Sequence, residues 1–441
     1  MVNSDVKGIV PKNNKDAYSA ILDWTKKSTK WRSDCINLIA SENVVSPAVN
    51  AAIISDFGHR YAEGWPGKRY YQGTWMFDEV ELIGQELVKR LFECSGADIS
   101  PLSGANANLA TLMSLCKSGD KIMSMSLQAG AHITQTDVSS AGIMGLESVY
   151  MPFDEGRMNL DTQGCIEAIK TEKPKLVITA GSVYLFPHPV KEISETAHDI
   201  GANVMYDGAH VAGLIAGKAF PNPFKEGADV VTFSSHKTFP GPQGAMILTN
   251  GTLDEKFAKK LKYSTFPKLI SNHHLHHVAG KAIAAAEMLE FGEAYAHQIV
   301  KNAKAFGAAL DSEGIIVLAK DYGYTESHQV LVDVRELGGG GPAVDTLEKS
   351  NIVTSKQLLP WDGREDVENP SGIRLGTQEM TRLGMKESEM KEIARFIRRV
   401  IIDKEEPSKI AAEVKEFKLP YHTVKYCFDE GEAYDFISKI I

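Results

Sequence analysis

Residues 229–250 read Asp-Val-Val-Thr-Phe-Ser-Ser-His-Lys-Thr-Phe-Pro-Gly-Pro-Gln-Gly-Ala-Met-Ile-Leu-Thr-Asn. The apolar, β-branched run Val230 to Phe233 predicts a buried strand, and Ala245 to Thr249 predicts its partner. Between them Pro240 and Pro242 fix φ, and Gly241 permits a sharp turn. This arrangement holds Lys237 at the mouth of a rigid hairpin, at the end of an apolar strand. Burial disfavours an ammonium group and lowers its pKa, which makes an amine nucleophilic near neutral pH. A surface lysine in a turn is the plain alternative, and the rest of the chain decides between the two.

A chain of 441 residues predicts two to three domains, or one large and one small, with ample length for a hydrophobic core. The formal net charge of −9 argues against a general nucleic-acid binder, which shows a basic face. Cys35, Cys94, Cys116, Cys165 and Cys427 are scattered and odd in number, so neither a zinc site nor a disulfide framework is expected and a reducing cytoplasm is the simplest setting. The start, Met-Val-Asn-Ser-Asp-Val-Lys-Gly, lacks an apolar run, and no stretch predicts a membrane span.

In chain order, Tyr18 to Lys26 carries a helical pattern, read as an arm or a packed helix pair. Helices are expected from Pro47 to Ile54 and from Phe77 to Phe92. Between them, residues 58–74 form a loop rich in glycine and aromatics, with tyrosines, arginines and a glutamate suited to a site. Ser103-Gly104-Ala105-Asn106-Ala107-Asn108 opens a helix to Cys116. Such an opening is either an anion cup or a plain serine N-cap. Strands (121–127, 146–153, 175–180, 202–206) then alternate with helices (160–172, 190–200), the mark of an α/β domain with a mostly parallel sheet and sites at the strand C-termini. Residues 271–277 place four histidines in five positions, read as a metal tract or, in preference, as capping and interface histidines. A helix from Val278 to Phe291 and a second through Leu310 lead to a smaller α+β region. It has strands at 315–319 and 329–333, the turn Gly338 to Pro342, and a helix from Met385 to Val400.

Six ordered motifs stand together: Leu38-Ile-Ala-Ser-Glu-Asn43, Tyr61-Ala-Glu-Gly-Trp-Pro-Gly-Lys-Arg-Tyr-Tyr71, Ser103-Gly104, Asp207-Gly-Ala-His-Val-Ala-Gly213, Ser235-His-Lys-Thr238 and Ser371-Gly-Ile-Arg-Leu-Gly-Thr377. In this order they resemble serine hydroxymethyltransferase, over roughly residues 30–400. The resemblance implies the pyridoxal-phosphate-dependent transferase fold of type I: an arm (1–45), a large α/β cofactor-binding domain (46–300) and a small α+β domain (301–441). It implies that Lys237 carries the cofactor, with His236 beside it. Asp207 faces the ring nitrogen, His210 the ring hydroxyl, and His132 stacks on the ring. Ser103, Gly104 and Ala105, with Ser182, Ser234 and Tyr61 of a neighbouring subunit, complete the cofactor set. A bidentate cation suits a substrate carboxylate, which points to Arg374, assisted by Ser41. Glu63 and Tyr71 are expected to handle the proton of the substrate hydroxymethyl group. The implied reaction cleaves Cα–Cβ of serine and passes the one-carbon unit to a reduced pterin, within a homodimer that shares its sites. No metal, nucleic acid or membrane is implied.

Some positions depart from the family pattern. Gln243 stands where the family has arginine, and Ala105 where it has a second serine. Pro267-Lys-Leu-Ile-Ser-Asn-His-His-Leu-His-His277 replaces a glycine-rich segment, with Lys268 or His276 as substitutes for its contact to the neighbour's phosphate. Gln135 and Gln357 are expected at an altered pterin pocket. They keep open a pterin-independent β-hydroxy amino acid aldolase or transaldolase. A non-catalytic binding scaffold is the third reading, disfavoured because Lys237, Asp207, His132, Glu63 and Arg374 are all retained.

Overall fold

A computed structural model describes Pro11, residues 13–251 and residues 255–434. The reading of Met1 to Gly8 lies outside them. Seven strands form the main sheet: β1 (Gly96–Asp98), β2 (Lys121–Ser124), β3 (Glu147–Tyr150), β4 (Leu176–Thr179), β5 (Asn203–Asp207), β6 (Val230–Ser234) and β7 (Ala245–Thr249), in the order β1-β7-β6-β5-β4-β2-β3. Neighbours from β3 to β6 pair in parallel, and β7 runs antiparallel to both β6 and β1. The expected hairpin around Lys237 is thus β6–β7, paired from Val230–Thr249 to Ser234–Ala245. β4, β5 and β6 are buried along almost their whole length, as the near-continuous apolar runs of a sheet covered on both faces require. A second sheet holds β8 (Ile316–Val317), β9 (Gln329–Asp333), β10 (Ser355–Gln357) and β11 (Gly372–Gly376), in the order β8-β9-β11-β10.

Helices α1 (Asn14–Ser33), α2 (Trp75–Phe92), α3 (Gly104–Leu115) and α4 (Leu275–Ser312) frame these sheets. The N-terminal stretch read as an arm or helix pair is one helix, capped by the Asn13 side chain on the Asp16 N–H. The two helices expected after residue 278 are one helix of 38 residues. Gly292 does not end it. The carbonyl of Gly292 lies 2.2 Å from where a Cβ on Gly217 would stand, so two backbones touch there. α4 gives Val278 to Ile299 to the core around the main sheet, and Ala303 to Leu310 to the core around the second sheet. Ile36 and Leu38 also belong to the second core, because Ile36 and Asn37 pair with Ile352 and Val353.

Residues 58–74 are more ordered than a loop. Gly64–Trp65 and Lys68–Arg69 form a short hairpin, and the Arg69 side chain is 2% exposed. It donates to the carbonyls of Ala62 and Gly64 and pairs with Asp78 and Glu81 on α2. Its charge is satisfied from four sides, which is the condition for burying a guanidinium. The strand β1 has no clear signal in the sequence, since Gly-Ala-Asp is neither β-branched nor aromatic.

α4 is tied to the short helix Gln378–Arg382 by a fully buried pair, Arg382 Nη2 to Glu287 Oε2 at 3.1 Å. Removing one member strands the other charge in the core. Glu287→Ala is therefore expected to lower stability by about 3 kcal/mol in a urea titration. A loss below about 1 kcal/mol would contradict the burial of this pair.

Candidate active site

The parallel strands β4, β5 and β6 deliver their carboxyl ends to one edge, where open α/β sheets place their sites. Asp207 ends β5, and Ser234 ends β6, three residues before Lys237. The segment after β6 is closed by Ser235 Oγ donating to Pro242 O at 2.7 Å and by Gly241 N–H donating to Ser235 O at 2.8 Å. Thr238 Oγ1 donates to His210 O and accepts from Gly213 N–H, stapling the lysine turn to the turn after β5. Only glycine fits at 213, where a Cβ would lie 2.1 Å from Thr238 O. The Lys237 side chain is buried and pairs with no carboxylate among the described residues. Burial lowers its pKa to about 8, outweighing the nearby Asp207, which raises it, while Arg374 lowers it further.

Asp207 is held from below. Asn108 Nδ2 (2.9 Å) and Gln135 Nε2 (3.2 Å) donate to Oδ2, and Ala209 N–H donates to Oδ1. Asn108 is itself fixed by Thr232 and Thr134, and Gln135 by the carbonyl of Ala180. Gln135, expected from the sequence at an altered pterin pocket, is buried and belongs to the layer that holds Asp207. Asn108 carried no role in the sequence reading. Its only signal is its place on the inner face of α3, four residues after Gly104.

His132 Nδ1 receives the Thr134 side chain at 2.7 Å, and burial holds its pKa below the usual histidine range. His210 is buried beside His328, with Gln329 Nε2 at 2.9 Å from its Nδ1. Arg374, on β11, donates through Nη1 to Ser182 O at 2.7 Å, and its buried Nε has no partner. Burial lowers its pKa to about 10, so it stays a cation. Lys237, Asp207, His210, His132 and Arg374 are thus brought into one electrostatically coupled group, with the Ser182 carbonyl bound to Arg374.

At the other end, Ser103 caps the 12-residue helix α3 by accepting from Asn106 N–H. The N–H groups of Gly104 and Ala105 have no acceptor within the helix. A Cβ on Gly104 would lie 2.7 Å from Ser234 Oγ, so the helix start and the end of β6 meet closely. Lys281 anchors this end: its buried Nζ donates to the carbonyls of Ile99, Pro101 and Ala245. A dry amine, an anchored carboxylate, an unpaired guanidinium Nε and an open helix N-terminus together match the aldehyde, ring nitrogen, substrate carboxylate and phosphate demands of pyridoxal 5′-phosphate with an amino acid.

Ser41 and His236 lie beside that group, His236 next to Lys237 in the chain and under its charge. They line a cavity of about 590 Å³ with Arg32, Glu42, Asn43 and Gln243, and burial lowers the His236 pKa to about 4. Asn43 links this cavity to the site by donating to Lys237 O. Tyr61 and Tyr71 pack on each other, with ring centroids 5.3 Å apart, yet remain 52% and 44% exposed. Among the described residues no hydrogen bond joins Tyr61, Glu63 or Tyr71 to the Lys237 group. Gln357 Nε2 donates to the carbonyl of Leu358.

The histidine tract divides. His273 pairs with Glu81 at 3.0 Å, and with Arg69 it holds Glu81 below its usual pKa although burial pushes the other way. His274, His276 and His277 pack on one another at the start of α4. No group of three or more histidine, cysteine or carboxylate side chains is arranged to hold a metal ion among the described residues. Lys268 lies over the Tyr263 ring.

The lowered pKa gives a measurable signature. Only the neutral amine has a lone pair, so uptake of pyridoxal 5′-phosphate by cofactor-free protein should accelerate as pH rises and reach half its limit near pH 8. A rate that keeps rising to the ordinary lysine value of 10.5 would contradict the desolvated amine.

Comparison with known proteins agrees with this geometry. The family profile described as serine hydroxymethyltransferase matches residues 14–397. Serine hydroxymethyltransferase of Pyrococcus furiosus is 52% identical over 419 residues, covering 95% of this chain and 98% of the relative. That of Methanocella arvoryzae is 50% identical over 436 residues, covering 99% of each. The solved structure of L-threonine transaldolase from Pseudomonas fluorescens in its internal aldimine state superposes with a TM-score of 0.84 at 29% identity, covering 95% of this chain and 96% of that one. On this profile and these relatives, the chain belongs to the serine hydroxymethyltransferase family of pyridoxal-phosphate-dependent transferases.

Proposed function

We propose that this enzyme reversibly transfers the hydroxymethyl group of serine to a reduced pterin, tetrahydrofolate or a modified pterin such as tetrahydromethanopterin, leaving glycine. The observation that carries this reading is the electrostatic coupling of a buried Lys237 amine with the anchored Asp207 and the half-buried Arg374. Bound there, pyridoxal 5′-phosphate supplies an aldehyde that condenses with amines and a protonated ring that draws electrons from a breaking bond at Cα. Lys237 supplies the amine. Asp207, kept an acceptor by its three donors, faces the ring N–H. The open N–H groups of Gly104 and Ala105, with Ser103 and Ser234, receive the phosphate. His132 covers the ring, His210 faces its hydroxyl, and Ser182 lies beside both. His236 adjoins the lysine.

Arg374 offers its free Nε and second Nη to the substrate carboxylate and so orients the bond to be broken. Ser41 assists from the neighbouring cavity. Glu63 takes the hydroxymethyl proton, with Tyr71 beside it. Because Tyr61 and Tyr71 are exposed, and among the described residues no hydrogen bond joins them or Glu63 to the Lys237 group, we infer that they serve the site of a second subunit in a homodimer. We infer a cytoplasmic setting and a division into an arm (1–45), a cofactor-binding domain (46–300) and a small domain (301–441). Among the described residues no helix is long and apolar enough to cross a membrane.

A pterin-independent aldolase or transaldolase is the second reading. It is favoured by the likeness to the transaldolase structure and by Gln357, whose amide is turned to its own backbone. Incubation with glycine and each candidate pterin, followed by the visible cofactor band, separates the two. The first reading expects one pterin to enhance the band and to be required for serine turnover. Threonine or 3-phenylserine cleavage far faster than serine turnover with every pterin would favour the second. Arg374→Lys is expected to raise KM for serine roughly 10- to 100-fold, since one ammonium cannot replace a bidentate fork. An unchanged KM would remove Arg374 from the substrate.

A further inference from the structure

Gln329 lies fully buried on β9, the second sheet's contribution closest to His210. Its amide orientation is dictated by backbone. Oε1 lies 2.8 Å from Tyr184 N–H, which can only donate, and Nε2 lies 2.9 Å from Ser182 O, which can only accept. The amide cannot be turned over without setting two like groups against each other. The second hydrogen on Nε2 is then directed at His210 Nδ1, 2.9 Å away.

A second protonated nitrogen lies near the same atom. His328 Nε2 lies 3.1 Å from the carbonyl of Ala40, so it must carry a proton, and it lies 3.4 Å from His210 Nδ1. The two imidazoles stack with 19° between their planes. A proton on His210 Nδ1 would confront two protonated nitrogens among side chains that are themselves buried. Burial together with Lys237 and Arg374 holds the His210 pKa well below the usual range, which excludes a second proton on the ring.

We propose that Gln329, with His328, is a positioning residue that locks His210 as the neutral tautomer protonated on Nε2. His210 thereby becomes an obligatory hydrogen-bond donor into the site. This rests on the reading of His210 as the neighbour of the cofactor's ring hydroxyl, where such a donor favours the oxygen as an anion. Ser182 O accepts from both Gln329 and Arg374, so one carbonyl sets the position of the donor on the cofactor side and of the guanidinium on the substrate side.

The test is nitrogen NMR of the full-length protein labelled in histidine, with His210 assigned by its loss in His210→Asn. In the wild type, His210 should show an unprotonated Nδ1 and a protonated Nε2. A proton on Nδ1 overturns the proposal. Gln329→Leu should weaken pyridoxal 5′-phosphate about five- to tenfold, the scale of one hydrogen bond, and leave both tautomers populated. Retention of the Nε2–H form alone in that variant also overturns it. Adding pyridoxal 5′-phosphate to the wild type should shift the Nε2 signal. Cofactor binding without that shift would remove His210 from the ring hydroxyl while leaving the tautomer lock in place, so the two failures are told apart.

Discussion

Withdrawing the Lys237 amine from water is the constraint on which the site depends. An ammonium prefers solvent, and a neighbouring carboxylate would ordinarily hold it charged. Here desolvation outweighs the attraction of Asp207, and the amine titrates near pH 8. The carboxylate does not collapse onto the lysine because Asn108, Gln135 and the Ala209 N–H already occupy it. Each buried charge has its own arrangement, and the two remain distinct groups able to meet different ends of one ring.

That separation is a property of the fold. Parallel strands put Asp207 and Ser234 at the same edge, and the Ser235–Gly244 turn sets Lys237 back across it. Lys281, reaching from α4, binds the carbonyls of Ile99, Pro101 and Ala245, joining the approach to α3 with the start of β7. The second sheet enters at the carbonyl of Ser182, where Arg374 and Gln329 converge, and at His210, which Gln329 also reaches. The hairpin bearing Glu63 is stiffened elsewhere, by Arg69, Asp78, Glu81 and His273. A shift of the second sheet would move Arg374 and the His210 donor together.

The α/β class, the β6–β7 hairpin and the places of Lys237 and Asp207 were legible because each leaves a local mark: apolar runs, a Pro-Gly-Pro turn and a strand ending in aspartate; His210 and Arg374 joined them only through the resemblance carried by the six ordered motifs. Asn108, Gln135, His328 and Gln329 were not. Each acts through a partner far away in sequence, as with Gln329 and His210, so its chemistry appears only after packing. Gln135 was read from a family motif as a pterin-pocket residue, and the motif gives no sign that its Nε2 donates to Asp207. The 38-residue helix was divided because local propensity carries no record of the backbone contact between Gly217 and Gly292. The histidine tract was ambiguous for the same reason: His273 belongs to a buried ion pair, while its neighbours pack at a helix start.

The account is tested most directly by finding where the cofactor is attached. The protein saturated with pyridoxal 5′-phosphate is reduced with borohydride, digested, and its labelled peptide sequenced by mass spectrometry. The label is expected on Lys237 alone, in stoichiometric amount. A label on Lys281 or any other lysine, or none at all, would contradict the assignment of Lys237 as the reactive amine.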